Sequence, residues 1–138
     1  MKKYFLLLIA FPMLFSCSSN STNNNNPNLP NYSVNLDINM NLPAYSSLLT
    51  PINAVYYPGQ GVRGLYIFNT GSGYVAFDAA CPNQALSSCS TMTLNGIYAV
   101  CACDNAEYSL FSGQSTGKQY PLKQYRVEVN GNLLHVFN

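Results

Sequence analysis

Residues 65–83 read LYIFNTGSGYVAFDAACPN, and this stretch indicates the fold class more clearly than any other. Two runs rich in aromatic and aliphatic residues, Leu65–Asn69 and Tyr74–Asp78, flank Gly71-Ser72-Gly73. Runs of this composition favour β-strands, and a short glycine-rich connection between them is typical of a hairpin. The stretch therefore predicts an antiparallel β-hairpin that leads directly into a loop beginning at Cys81.

The same two-residue periodicity continues on both sides of this hairpin. Apolar side chains at 34, 36, 38 and 40 alternate with polar ones, which predicts a strand with one buried face. Further short strands are predicted at 54–57, 91–94, 97–101, 108–111, 126–129 and 133–137, with Asn-Gly turns at 95–96 and 130–131. No window after the N-terminal apolar segment has helical periodicity. We therefore predict an all-β fold of small antiparallel sheets in a sandwich or barrel.

The N-terminal residues have the organisation of an export signal. Lys2 and Lys3 precede an apolar run, 5–15, that is too short to span a bilayer permanently. The sequence Leu14-Phe15-Ser16-Cys17 then resembles the lipobox of bacterial lipoproteins. That resemblance implies a cleaved signal peptide over residues 1–16 and lipidation of Cys17. It also implies a lipid anchor in the bacterial cell envelope, with the folded part outside the cytoplasm.

Composition divides the rest of the chain into a tether and one domain. Residues 17–31 are mostly Ser, Asn, Thr and Pro, which predicts a disordered tether. Residues 32–138 are long enough for one domain with a modest core. Without Lys2 and Lys3 the chain has four basic and five acidic residues, and it has no basic stripe. This charge distribution argues against a nucleic-acid partner.

Four cysteines lie in the predicted domain: Cys81, Cys89, Cys101 and Cys103. An even number of cysteines in an exported chain predicts two disulfides, and the sequence alone allows three pairings. A zinc site is the alternative. The cysteine spacings do not include the pair separated by two to four residues that is usual for structural zinc, so we expect no zinc.

The motifs around these cysteines resemble, in their order, the Rieske 2Fe–2S domain. A strand ending in Phe77-Asp78 leads into Cys81-Pro82-Asn83, and a hairpin strand leads into Cys101-Ala102-Cys103-Asp104. The stretches YSLFSG at 108–113 and YPLKQYRVEV at 120–129 follow, before a final predicted hairpin. The resemblance covers about residues 65–138. It implies a Rieske-like β fold and, for an intact site, electron transfer through the cluster.

The chain departs from this family at the two positions that should be histidine. In Rieske domains two cysteine thiolates hold one iron and two imidazoles hold the other. Here the histidine positions are Asn83 and Asp104, and the single histidine of the chain, His135, falls in the last predicted strand. We therefore expect no metal and no cofactor. The alternative is a 2Fe–2S cluster with atypical ligands that include Cys81 and Cys101.

The resemblance also suggests which cysteines pair. Cys81 and Cys101 occupy the two cluster-thiolate positions, which would be close enough for a disulfide if no iron separated them. Cys89 and Cys103 match the extra pair that braces the cluster loops in some Rieske proteins. The implied disulfides are therefore Cys81–Cys101 and Cys89–Cys103.

These expectations lead to three hypotheses for function. The first is a non-enzymatic binding or structural module whose partner is another envelope protein or a small ligand. The second is electron transfer by an atypical 2Fe–2S cluster. The third is thiol–disulfide exchange by Cys101-Ala102-Cys103, although no thioredoxin-like pattern surrounds it. An acid/base set of Asp78, Asp104 and Glu107 is also conceivable, but aspartates at strand ends and in tight loops usually bond to nearby backbone.

Overall fold

A computed structural model of the chain describes residues 25–138. The predicted signal peptide, the predicted lipidation site at Cys17 and the first part of the predicted tether lie outside the described residues. The described part contains nine β-strands and one short 3₁₀ helix, Ser46–Leu49. Within it, no helix has the length and apolar character needed to cross a membrane. The strands are β1 (Asn35–Asn39), β2 (Ala54–Tyr57), β3 (Leu65–Asn69), β4 (Tyr74–Asp78), β5 (Thr93–Asn95), β6 (Tyr98–Val100), β7 (Glu107–Ser109), β8 (Gln124–Asn130) and β9 (Leu133–Phe137).

The strands form two antiparallel sheets, which confirms the predicted all-β class. The larger sheet has the order β1-β9-β8-β4-β3-β2, and the smaller sheet has the order β5-β6-β7. The hairpin predicted from residues 65–83 is present with the expected bounds, and Asn69 pairs with Tyr74 at its end. This hairpin lies inside the larger sheet, because β2 pairs with β3 and β8 pairs with β4.

Two cores lie on opposite faces of β3, all of whose residues are buried. The first core lies between the two sheets, and Tyr66 and Phe68 contribute to it from β3. The second core takes Leu65 and Ile67 from the other face of the same strand. Two residues each from β1 and β9 join them there, so the larger sheet curls until its far strands cover β3: Leu36, Ile38, Leu134 and Val136. The run of aliphatic and aromatic residues at 65–68 of β3 follows from this burial on both faces.

The turn of the small hairpin differs from the prediction by one residue. Asn95 pairs with Tyr98, so the turn consists of Gly96 and Ile97 rather than Asn95 and Gly96. Gly96 has a φ of +61°, and glycine at the first central position suits a two-residue turn of this kind. The predicted strand 91–94 is correspondingly shorter, since Thr91 makes only an isolated bridge, to Ala80.

Residues 25–31, the last part of the predicted tether, contact the domain. The Asn26 side-chain amide donates a hydrogen bond to the carbonyl oxygen of Pro82, at 2.8 Å. Leu29 is only 4% exposed, and the Lys123 ammonium donates to a backbone carbonyl of this segment at 3.1 Å. The prediction of a disordered tether is therefore wrong for these residues. Their polar composition concealed one buried leucine and amides that bond to the domain.

Candidate functional site at the disulfide-linked loops

Two loops carry all four cysteines of the domain. The first loop, 81–90, follows β4, and the second loop, 101–106, follows β6. In each loop the backbone N–H of the first residue donates to the carbonyl oxygen of the last, at 2.8 Å in the first loop and 2.9 Å in the second. A backbone hydrogen bond therefore closes each loop at its base.

Two disulfides connect the first loop to the second. Cys81 is bonded to Cys101, with 5.6 Å between their Cα atoms, and Cys89 is bonded to Cys103, with a Cα separation of 5.1 Å. These are the pairs that the resemblance implied. The first pair is fully buried within the first core, whereas Cys89 and Cys103 are both partly exposed. One disulfide is thus part of the hydrophobic core and the other lies near the surface.

Three of these sulfur atoms converge on one point. The Sγ atoms of Cys81, Cys101 and Cys103 all lie within 4.8 Å of one another, and they form the one group in the described part of the chain with the spacing of metal ligands. Iron and zinc are bound by thiolates, and a sulfur in a disulfide is not a thiolate. The oxidised cysteines therefore do not form a metal site.

Asn83, at the first of the two histidine positions, connects the first loop to a later segment. Its amide nitrogen donates to the hydroxyl of Tyr108 at 2.7 Å and to the carbonyl of Tyr120 at 2.8 Å. Its amide oxygen accepts the backbone N–H of Tyr120 at 2.9 Å. Both N–H groups and the oxygen are thus used, so the side chain has no group directed at a ligand.

Asp104, at the second histidine position, is held by an ion pair to the same later segment. One carboxylate oxygen lies 2.8 Å from the Lys118 ammonium, and the other accepts the backbone N–H of Ala106 at 3.0 Å. Partial burial opposes ionisation of Asp104, but the hydrogen bonds from Lys118 and Ala106 prevail and lower the pKa of the carboxyl. Asp104 is therefore a fixed carboxylate near neutral pH.

The donor groups of the two loops do not fit a Rieske cluster. Such a cluster needs two thiolates and two imidazoles. Here two of the four positions share a disulfide, the third is an amide whose hydrogen-bonding groups are all in use, and the fourth is an ion-paired carboxylate. Both residues at the histidine positions bond to the segment 118–120. The two disulfides, Asn83 and Asp104 thus join the two cysteine loops and the segment 118–120 to one another.

His135 does not supply a replacement imidazole. It lies on β9, between β1 and β8, and is therefore not on an edge strand. Its Nδ1 atom lies 2.7 Å from a carboxylate oxygen of Asp37, its cross-strand neighbour, and its ring stacks on Phe137. These contacts belong to the surface of the larger sheet and not to the cysteine loops.

The conceivable acid/base set is not assembled into one site. Asp78 is fully buried, and its two oxygens accept hydrogen bonds from the backbone of Val62, Arg63 and Ala80 and from the hydroxyl of Tyr125. Gly61, with a φ of +67°, allows the backbone to approach this carboxylate closely. Asp104 is held by its ion pair, and Glu107 is exposed on β7. Asp78 is thus a structural carboxylate that fixes the entry to β3.

Replacing Asn83 with alanine is expected to lower the free energy of unfolding by about 2 kcal/mol, because three hydrogen bonds are lost, one to Tyr108 on β7 and two to Tyr120. Urea denaturation followed by circular dichroism measures this change. Asn95→Ala is the matched control, since Asn95 is exposed on β5, and its cost should be within about 0.5 kcal/mol. An equal effect of the two substitutions would contradict the role assigned to Asn83.

The ion pair of Asp104 predicts a pH-dependent contribution to stability. The folded-state pKa of Asp104 lies below 3.8, so its contribution is present at neutral pH and is lost as the pH falls through that folded-state pKa. Lys118→Gln should therefore be less stable than the unmodified protein at pH 7, and the difference should disappear in strong acid. Urea midpoints measured across this pH range test the prediction. Arg126→Gln, an exposed cation on β8, is the control and should show no such convergence.

Comparison with known proteins finds likeness only at the level of structure. No protein-family model matches the chain, and no curated protein matches it. The chain is similar in structure to ferredoxins. One similar structure is the complex of reduced oxygenase and oxidized ferredoxin in carbazole 1,9a-dioxygenase, with 21% identity, a TM-score of 0.46, and coverage of 64% of this chain and 82% of that chain.

Two further structures cover more of the chain. The ferredoxin of carbazole 1,9a-dioxygenase from Nocardioides aromaticivorans IC177 has 13% identity and a TM-score of 0.46, with 77% of this chain and 97% of that chain covered. A protein described as an NADH-dependent nitrite reductase small subunit from Mycobacterium tuberculosis has 15% identity and a TM-score of 0.49, with coverage of 78% and 97%. At these identities and TM-scores, the likenesses assign neither a cofactor nor an activity to this chain.

Proposed function

We propose that this chain is a lipid-anchored protein of the bacterial cell envelope whose Rieske-like domain has no iron–sulfur cluster and acts as a binding or structural module. The observation that carries this proposal is the use of Asn83 and Asp104. Both occupy the histidine positions of the resemblance, and both are bonded to the segment 118–120. With the cysteines in disulfides, the loops are stabilised without a metal.

The absence of a cluster is tested by preparing the full-length protein under anaerobic conditions and measuring its iron content and visible spectrum. We expect a colourless, iron-free, folded protein, also after reduction and incubation with iron and sulfide. The variant that combines Asn83→His with Asp104→His is the positive control, because it restores both imidazoles and should gain charge-transfer bands after the same treatment. Stoichiometric iron with such bands in the unmodified protein would refute the proposal.

An electron-transfer protein with atypical cluster ligation is the second candidate. One observation favours it, namely the convergence of three cysteine sulfurs within 4.8 Å. If the disulfides were absent in the cell, these sulfurs would be available as thiolates. The iron measurement decides between the two candidates, because only the second requires bound iron in freshly prepared material.

The lipid anchor has a separate test. Cys17 is the acyl acceptor implied by the lipobox resemblance, so labelling of growing cells with radioactive palmitate should label the full-length protein. Cys17→Ser should abolish the label and move the protein from the detergent phase to the aqueous phase. Cys89→Ser is the matched control and should keep the label. Labelling that survives Cys17→Ser would refute the anchor.

A further inference from the structure

An open groove of about 780 Å³ lies beside the disulfide-linked loops. It runs between β7 at the edge of the smaller sheet and the segment 112–118. The side chains that line it carry mostly hydroxyl and amide groups together with one carboxylate, and they include Tyr98, Asn105, Glu107, Gln114, Ser115 and Thr116. The volume is that of a small-molecule site, but the polar lining does not suit an apolar ligand.

Several polar side chains of this groove are not used by the protein itself, whereas those of Ser109, Ser112 and Lys118 already have partners within the chain. Among the described residues, no hydrogen-bond partner exists for the Tyr98 hydroxyl, the Glu107 carboxylate, the Gln114 side-chain amide or the Thr116 hydroxyl. Elsewhere in the domain, Asn69, Asn83 and Asp78 bond their side chains to other parts of the chain. The groove thus presents several donors and acceptors on one concave surface, where a ligand would replace water.

The groove carries one uncompensated negative charge, that of Glu107. Glu107 is its one acidic side chain, and Lys118 is its one basic side chain. Lys118 is already paired with Asp104 at 2.8 Å, so its charge is largely neutralised. A phosphate-rich or otherwise polyanionic ligand would meet no excess positive charge here. The groove therefore favours an uncharged ligand that is rich in hydroxyl groups.

Tyr98 adds an aromatic surface to this polar groove. It lies on β6, and 39% of its surface is exposed. A tyrosine ring offers an apolar face together with a polar hydroxyl, and amphipathic ligands pack well on such a ring. A sugar ring has the matching chemistry, because its C–H groups form an apolar face and its hydroxyls project from the edge.

We propose that this groove binds a neutral oligosaccharide. Tyr98 would pack against the C–H face of one sugar ring, while Glu107 and Gln114 would hydrogen-bond to its hydroxyls. The proposal rests on the proposed function, since it names the ligand class of the cluster-free binding module. An extended peptide added to the edge of β7 is the less favoured occupant. That strand has three residues, and the N–H of Ser109 already donates to the Gln114 carbonyl at 3.0 Å.

The test is a titration of the full-length, isotope-labelled protein in a zwitterionic, sugar-free detergent, followed by two-dimensional NMR. The probes are chitotetraose, maltotetraose and cellotetraose. We expect at least one to give saturable shifts at the residues that line the groove. Tyr98→Ala should weaken that binding roughly tenfold, the size expected for loss of one aromatic contact. Gln114→Ala, at an exposed position outside the strands, should weaken it without affecting the fold.

Tyr32→Ala is the matched control, because Tyr32 is 53% exposed and does not line the groove. It should bind the sugar as the unmodified protein does. The proposal is overturned if none of the three sugars gives saturable shifts. It is also overturned if binding survives both Tyr98→Ala and Gln114→Ala, or if the shifts lie outside the groove. The same sample is assayed for iron, so a colourless protein that binds no sugar overturns this inference alone, whereas bound iron overturns the proposed function.

Discussion

Removing the buried disulfide through Cys81→Ala and Cys101→Ala is expected to lower the free energy of unfolding by about 3–5 kcal/mol. The bond joins residues separated by 20 positions, so the unfolded chain gains entropy when it is absent. Both sulfurs are fully buried in the first core, so the substitutions also remove packing there. The urea midpoint of the oxidised protein gives the measurement.

The partly exposed disulfide supplies the control for this effect. Cys89→Ala with Cys103→Ala removes a bond of similar loop length, with a sequence separation of 14, but both cysteines are partly exposed and only Cys103 packs against the first core. We expect a smaller loss of about 2 kcal/mol, because the closed loop is shorter and less buried packing is lost with these two cysteines. If both double variants lose the same free energy of unfolding, packing of Cys81 and Cys101 in the core does not contribute to the larger expected loss.

Replacing Asp78 with alanine is expected to cost at least about 3 kcal/mol, the largest effect of any single carboxylate in the described part of the chain. The substitution leaves three backbone N–H groups and the Tyr125 hydroxyl without their acceptor. These donors are largely enclosed, so water replaces the lost acceptor poorly. The free energy of unfolding from urea titration, read at pH 7, measures the cost.

Glu128→Ala is the matched carboxylate substitution, because Glu128 is exposed on β8 and should cost no more than about 0.5 kcal/mol. Tyr125→Phe separates the parts of the Asp78 network, since it removes one donor and leaves the three backbone donors in place. It should cost less than Asp78→Ala. Similar stability of the Asp78 and Glu128 variants would show that the buried network contributes little.

Strands are predictable from the sequence where the alternation of apolar residues and the residues of the connecting turn lie close together in the chain. The hairpin at 65–78 was predicted with its bounds because its apolar runs and glycine turn lie next to each other in the chain. The Asn95-Gly96 turn was misplaced by one residue, since the same sequence supports two registers. In the structure Gly96 occupies the turn position that needs a positive φ, and Asn95 joins the strand.

The partners of the site were not predictable in the same way. Asn83 and Asp104 were singled out from their place in the motifs, but their partners Tyr120 and Lys118 lie 37 and 14 positions further along the chain. No local pattern marks such pairs. The contacts of residues 25–31 were missed for the same reason, because a single leucine in a polar stretch does not reveal that it is buried.

The attachment of residues 25–31 has a mechanical consequence. A pulling force applied to the chain on the N-terminal side of the domain is borne first by the hydrogen bonds at Pro82 and Lys123. Pro82 lies in a loop that two covalent cross-links join to its neighbour. The force therefore reaches a covalently reinforced region before it reaches β1, an edge strand whose backbone pairs with β9 alone. This arrangement protects the edge strand from being peeled away under tension.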